Sequence, residues 1–87
     1  MSVIGGELEQ LRSLKVNFER QSGAVQDLLS ALRSELDSVY WKGGAADRFR
    51  DAWQQQYEPM LTQLSSALVE AAHEIGRRTD ALEAVGN

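Results

Sequence analysis

At 87 residues the chain holds one small domain, and its 43% hydrophobic and 25% charged residues with a single proline exclude both a disordered segment and a turn-rich β domain. No cysteine and one histidine leave no disulfide, no thiolate nucleophile and no Cys- or His-rich metal site, so neither a metal nor a cofactor is expected. Nine Lys and Arg against thirteen Asp and Glu give a net charge of -4, the wrong sign for a domain held by phosphates, which excludes nucleic acid as a partner.

The opening Met1-Ser2-Val3-Ile4-Gly5-Gly6-Glu7 has no basic segment leading into an apolar run, so no cleavable signal peptide is expected. No apolar stretch approaches the roughly 18 residues of a membrane span. From Ile4 to Val39, Ile4, Leu8, Leu11, Phe18, Val25, Leu29, Leu32, Leu36 and Val39 fall on alternating three- and four-residue spacings, interrupted by Lys15 and Ser22. This predicts one amphipathic helix over about residues 4–40, continuous through Gly23. Leu14 and Leu28 lie beside the seam and widen the stripe beyond what a two-stranded coiled coil uses.

Trp41-Lys42-Gly43-Gly44 breaks the pattern, because two adjacent glycines permit a tight reversal, and Asp47 then suits the first turn of a new helix. That helix is predicted over about residues 45–85, with Phe49, Trp53, Tyr57, Met60, Leu64, Leu68, Ala71, Ile75, Thr79 and Leu82 as its seam. From Trp53 the spacing runs 4, 3, 4, an eleven-residue period that implies weak right-handed supercoiling. Pro59 removes a backbone donor and crowds the carbonyl of Gln55, so a kink is expected there, with the helix resuming beyond it.

Residues 1–87 thus read as a single all-α domain, an antiparallel helix-turn-helix hairpin with arms of roughly 55–60 Å. The 27 hydrophobic residues other than alanine exceed the about 20 that two a/d seams of this length use. The surplus calls for cover, and a second hairpin completing a four-helix bundle is the simplest cover. The candidates for that interface are Leu8, Leu11, Phe18, Val25, Leu29, Leu32, Leu36, Phe49, Trp53, Tyr57, Met60, Leu64, Leu68 and Ile75.

No catalytic constellation is visible, and no enzyme is expected. His73 reads as a helix-surface residue. Arg77 and Arg78 complement a helix C-terminus or meet an acidic partner. Trp41 stands in the turn, outside both seams, so hairpin packing alone does not account for it; it is either a cap on the bundle end or part of a recognition surface.

Trp41-Lys42-Gly43, a Trp-x-Gly turn midway along a small acidic chain between two amphipathic helices, resembles the WXG family of small type VII (ESX) secretion substrates over essentially the whole length. The resemblance implies pairing with a second WXG hairpin and export as a folded dimer through a machine driven by an ATPase of the FtsK/SpoIIIE type. It implies secretion without a cleavable signal peptide after folding in the bacterial cytoplasm, and a role in virulence or envelope function as effector or as carrier of the partner. Gly43 takes the family's turn position, and Trp41 is implied to be an exposed part of the export signal. The family's Tyr-x-x-x-Asp/Glu tail element has no match here: Gly76 stands four residues before Asp80 and Thr79 four before Glu83. A heterodimer whose partner supplies that tail is therefore favoured over a homodimer, for which Arg77, Arg78 and Asp80 would be the tail candidates. An intracellular adaptor that holds a larger toxin or scaffold is the alternative function. Membrane binding by the released helices is a third, opposed at neutral pH by the acidic balance.

Overall fold

The computed structural model describes residues 3–86, and side chains from Gly5 to Val85; Met1, Ser2, Asn87 and the side chain of Ile4, the first residue of the expected seam, lie outside it. Among the described residues there is no strand: the order is α1 (Val3–Ser38), α2 (Gly44–Ala52), a π-helical turn (Trp53–Tyr57) and α3 (Glu58–Gly86). The two arms form a thin hairpin of 64 × 18 × 12 Å.

Leu, Gln, Glu, Arg, Lys and Ala, all good helix formers, dominate α1, and no proline interrupts it. It passes through Gly23 and stops at Ser38, two residues before the boundary expected from the sequence, where a β-branched residue and two aromatics precede the glycine pair. Glu35 closes the end: its carbonyl accepts the Val39 N–H at 3.1 Å and the Ser38 hydroxyl at 3.1 Å.

Four contacts set the antiparallel register of α1 on α3. Arg12 meets Glu83 at 3.0 Å, and Arg33 meets Glu58 at 2.6 Å. The stem of Lys15 crosses Gly76, 3.3 Å from where a Cβ would stand. At mid-length the Ser22 and Ser65 hydroxyls lie 2.8 Å apart, and each also reaches the other residue's carbonyl, at 3.0 and 3.2 Å. Lys15 and Ser22, which interrupt the apolar pattern, are therefore seam residues. The serines satisfy one another, and small side chains let the arms approach closely.

Where the arms meet, α1 contributes Leu8, Leu11, Lys15, Phe18, Ser22, Val25, Leu29, Leu32 and Leu36 and α3 contributes Glu58, Leu61, Ser65, Leu68, Ala72, Ile75, Thr79 and Leu82, with Gly5, Gly6, Asn17, Gly76 and the expected seam residue Ala71 also half-buried outside these two series. Both series alternate strictly by three and four, the spacing of left-handed wrapping. This corrects the expected second seam. Leu68, Ile75, Thr79 and Leu82 belong to it, but Tyr57, Met60 and Leu64 are exposed at 45%, 62% and 47%, and their next neighbours Glu58, Leu61 and Ser65 face α1 instead. Alanine and hydroxyl residues occupy alternate layers of the true seam, so the bulkier residues beside it traced an eleven-residue period that the packing does not follow.

The π-turn is how the chain accommodates Pro59. Proline has no N–H to offer the carbonyl one turn back and its ring crowds that carbonyl. The preceding turn widens, with the Glu58 N–H bonded to the Trp53 carbonyl five residues earlier. The widening absorbs one residue and re-phases α2. Carried back in ordinary helical spacing, the α3 seam would select Gln54, Asp51 and Asp47, all of which are exposed; Ala46 is buried instead, with Arg50 and Trp53 half-buried.

Two unlike faces flank the seam. One carries Arg12, Glu19, Gln26 and Arg33 of α1 beside Thr62, Val69, Gly76 and Glu83 of α3, and it holds the two ion pairs between the arms and the Gln26–Ser65 hydrogen bond of 3.1 Å. Helical spacing puts Leu14 and Leu28 on the opposite face with Tyr57 and Leu64, and there Leu14 is 41% and Leu28 49% exposed. No large side chain is fully buried among the described residues, and Leu29, at 8% exposure, is the largest in the core.

Candidate functional site at the turn between the arms

Gly43 caps α2 with φ 111° and ψ 178°, a combination open essentially to glycine alone. Its carbonyl accepts the Asp47 N–H at 3.0 Å, the first bond of the helix, and Asp47 places an acid at the positive end of the helix dipole. A Cβ at Gly43 would meet nothing within 4 Å, so backbone conformation and not space demands glycine there. Gly44 differs: it is the first residue of α2, has no positive φ, and a Cβ on it would touch the flexible end of Arg48 at 3.2 Å.

Trp41 is 40% exposed and held at two points. Its indole lies 5.7 Å from the Phe49 ring at an interplanar angle of 47°, and its carbonyl accepts a hydrogen bond from Arg50 Nη1 at 2.8 Å. The aromatic contacts continue from Phe49 to Tyr57 at 6.4 Å and from Tyr57 to Trp53 at 6.4 Å, with the rings tilted by 33° and 42° and within the about 4.5–7 Å centroid range of interacting aromatic pairs. The sequence left open whether Trp41 caps the bundle or belongs to a recognition surface. It packs one side on α2 and presents the rest to solvent. Beside it, Tyr40 is 86% exposed, with the Lys42 ammonium 5.5 Å from its ring centre.

Below the turn, Glu58 joins three elements. Its carboxylate accepts Arg33 Nε at 2.6 Å and Nη2 at 3.3 Å from α1, and Trp53 Nε1 at 2.9 Å from the π-turn. The Arg33 hydrogen bond, opposed by partial desolvation and reinforced by the Trp53 donor, holds the Glu58 carboxyl below the usual carboxylate range, and the same pairing raises the Arg33 guanidinium above its ordinary value. Arg33, Asp37, Arg50, Trp53 and Glu58 line one open cleft beneath the turn. An exposed indole and tyrosine, fixed cations and an open cleft form a surface suited to recognising another molecule.

The interface candidates divide into two groups. Leu8, Leu11, Phe18, Val25, Leu29, Leu32, Leu36, Leu68 and Ile75 line the seam between the chain's own arms, all half-buried except the buried Leu29; Trp53 is half-buried at the π-turn. Phe49, Tyr57, Met60 and Leu64 are exposed. The tail candidates Arg77, Arg78 and Asp80 lie on exposed positions near the open end, away from the turn, where Arg78 pairs with Glu74 at 3.0 Å. His73 is exposed on the polar face. Sequence reasoning missed Arg33, Arg50 and Glu58. Nothing in apolar periodicity marks them, and the one clue was Glu58 standing directly before Pro59, where the helix has to deform.

Comparison with curated proteins and with solved structures gives no significant match. The family model described as "Proteins of 100 residues with WXG" does match, over residues 4–87, a span that includes the Trp41-Lys42-Gly43 turn. A hairpin with Trp-x-Gly at its reversal, matched along nearly its whole length, belongs to the WXG100 family, which is associated with type VII secretion.

Proposed function

We propose that this chain is a non-enzymatic substrate of a type VII (ESX) secretion system, exported as a folded dimer and acting as a secreted effector or as the carrier of its partner. The observation that supports this most directly is the turn: Gly43 holds a conformation that only glycine adopts readily, and Trp41 beside it is fixed by Phe49 and Arg50 yet stays 40% exposed. An indole immobilised at the surface loses little further freedom on binding, which suits an export signal read by the secretion ATPase of the FtsK/SpoIIIE type.

The pairing surface is the apolar face. Leu14, Leu28, Tyr57 and Leu64 remain exposed after the arms have packed, and Phe49 extends this row to the turn. A second WXG hairpin laid on that face completes a four-helix bundle. Because neither Asp80 nor Glu83 has a tyrosine four residues before it, the favoured partner is a different WXG protein that carries the Tyr-x-x-x-Asp/Glu element.

Export of Trp41→Ala from cells with an active type VII system tests the reading. The variant is expected to remain inside at wild-type levels with unchanged helix content, while the wild type accumulates in the medium. Export unaffected by the substitution would remove Trp41 from the signal. A wild-type protein never found outside would favour the intracellular adaptor.

A further inference from the structure

The turn has two backbone–backbone hydrogen bonds, one at each edge: Val39 N–H to the Glu35 carbonyl and Asp47 N–H to the Gly43 carbonyl. Between them run Tyr40, Trp41 and Lys42, outside any helix. Among the described residues, the hydrogen bond that reaches into this stretch comes from Arg50, whose Nη1 donates to the Trp41 carbonyl at 2.8 Å across nine positions of sequence. Its neighbour Phe49 holds the indole of the same residue.

We infer that Arg50 is the positioning residue of the Trp-x-Gly turn, clamping the Trp41 backbone while Phe49 supports the ring, so that the indole is offered in one orientation. The residue types follow from the geometry. An arginine on the second turn of α2 has both the reach and a delocalised cation to bond a carbonyl on the far side of the reversal. Arg50 is half-buried as a residue and lines the cleft shared with Arg33, Asp37, Trp53 and Glu58, so its side chain starts from a partly confined position. The π-turn contributes indirectly, since the residue it absorbs puts position 50 on the inner side of α2 and Asp51 on the outer side. Without the clamp, Trp41 would sample several orientations, and a receptor that reads one of them would see its apparent affinity fall in proportion to that one's population.

The role for Trp41 in export rests on the function proposed above; the clamp itself does not. The chain has two tryptophans, so labelling with 5-fluorotryptophan gives two fluorine resonances, assigned with Trp41→Phe. In Arg50→Met the Trp41 resonance is expected to move toward the position of a free indole while that of Trp53, bonded to Glu58, stays in place; a general loss of structure would move both. Arg50→Lys, which keeps one long-reaching donor, is expected to fall between. The melting temperature should change little, and export should drop about three- to tenfold, as for losing one partly solvated charge-assisted bond that held the competent orientation. An unmoved Trp41 resonance in Arg50→Met overturns the clamp regardless of export. A moved resonance with normal export, in cells where Trp41→Ala is retained, overturns the positioning role and leaves the secretion reading intact. If Trp41→Ala is itself exported normally, the secretion signal falls, and the fluorine spectrum alone decides whether Arg50 holds the turn.

Discussion

The two faces of the hairpin use the same helices for opposite ends. On the polar face, Arg12, Gln26 and Arg33 reach across to Glu83, Ser65 and Glu58, so these side chains spend their bonds within the chain. On the apolar face, Leu14, Leu28, Tyr57 and Leu64 stand 41–49% exposed, and among the described residues no element covers them. Adjacent residues have different duties: Leu28 beside Leu29, Leu64 beside Ser65, Leu14 beside Lys15. Directional bonds fix which way the arms meet, and non-directional apolar area remains for a partner. Hydrophobicity alone therefore does not identify the core, since the best-covered polar pair, Ser22 and Ser65, lies deeper than any leucine of the outer row.

The sharpest way to break this contrast is to alter both kinds of leucine. Leu28→Glu together with Leu64→Glu should leave the hairpin's helix content unchanged, because both side chains are near half exposed, yet weaken association with a WXG partner by about a hundredfold or more through two charges buried at its centre. Leu29→Ala should do the reverse, destabilising the hairpin by about 2–3 kcal/mol through lost burial and an open gap while the outer face stays intact. Titration calorimetry with the partner and thermal unfolding followed by circular dichroism separate the two. Equal effects from the two substitutions would mean that the faces are not distinct.

The same contrast explains how much was legible in the sequence. The hairpin, its reversal at Gly43 and the first seam follow from periods that large side chains announce. The second seam was only partly legible because Ser65 and Ala72 lie in it while Tyr57, Met60 and Leu64 lie beside it, and because the π-turn ahead of Pro59 shifts the phase of α2 by one residue. Trp41 and Gly43 were readable as a motif. Arg50 and the Arg33–Glu58–Trp53 group were not, because bonds spanning 9, 25 and 5 residues depend on the completed fold and leave no local spacing.

The two glycines of the turn give a smaller and more discriminating test. Gly43→Ala forces a side chain into a conformation reserved for glycine and is expected to cost about 1–3 kcal/mol or to rearrange the turn around Trp41. Gly44→Ala adds a methyl group to a helical residue whose one close neighbour is the mobile tip of Arg48, and should be neutral or stabilising by less than about 1 kcal/mol. Melting temperatures that move in opposite directions would show that the requirement at the turn is the positive φ of position 43 and not a shortage of space around the glycine pair.

Glu58 yields the smallest expected effect and the one with a pH signature. Its carboxyl titrates below the ordinary range in the folded chain, chiefly because Arg33 donates to it, so the unfolded chain takes up this proton at a higher pH than the folded one. The contribution is therefore fully present above the ordinary glutamate value of about 4.3 and is lost as the pH falls through the lower folded value. Glu58→Gln removes it at every pH. Other carboxylates also titrate on acidification, so the informative quantity is the gap between wild type and variant. In melting temperature that gap should be constant from neutrality down to about pH 5 and close progressively below about pH 4. A gap that persists unchanged into strong acid would assign the loss to the shape of the side chain, and the ion pair on the polar face would then contribute register without charge-dependent stability.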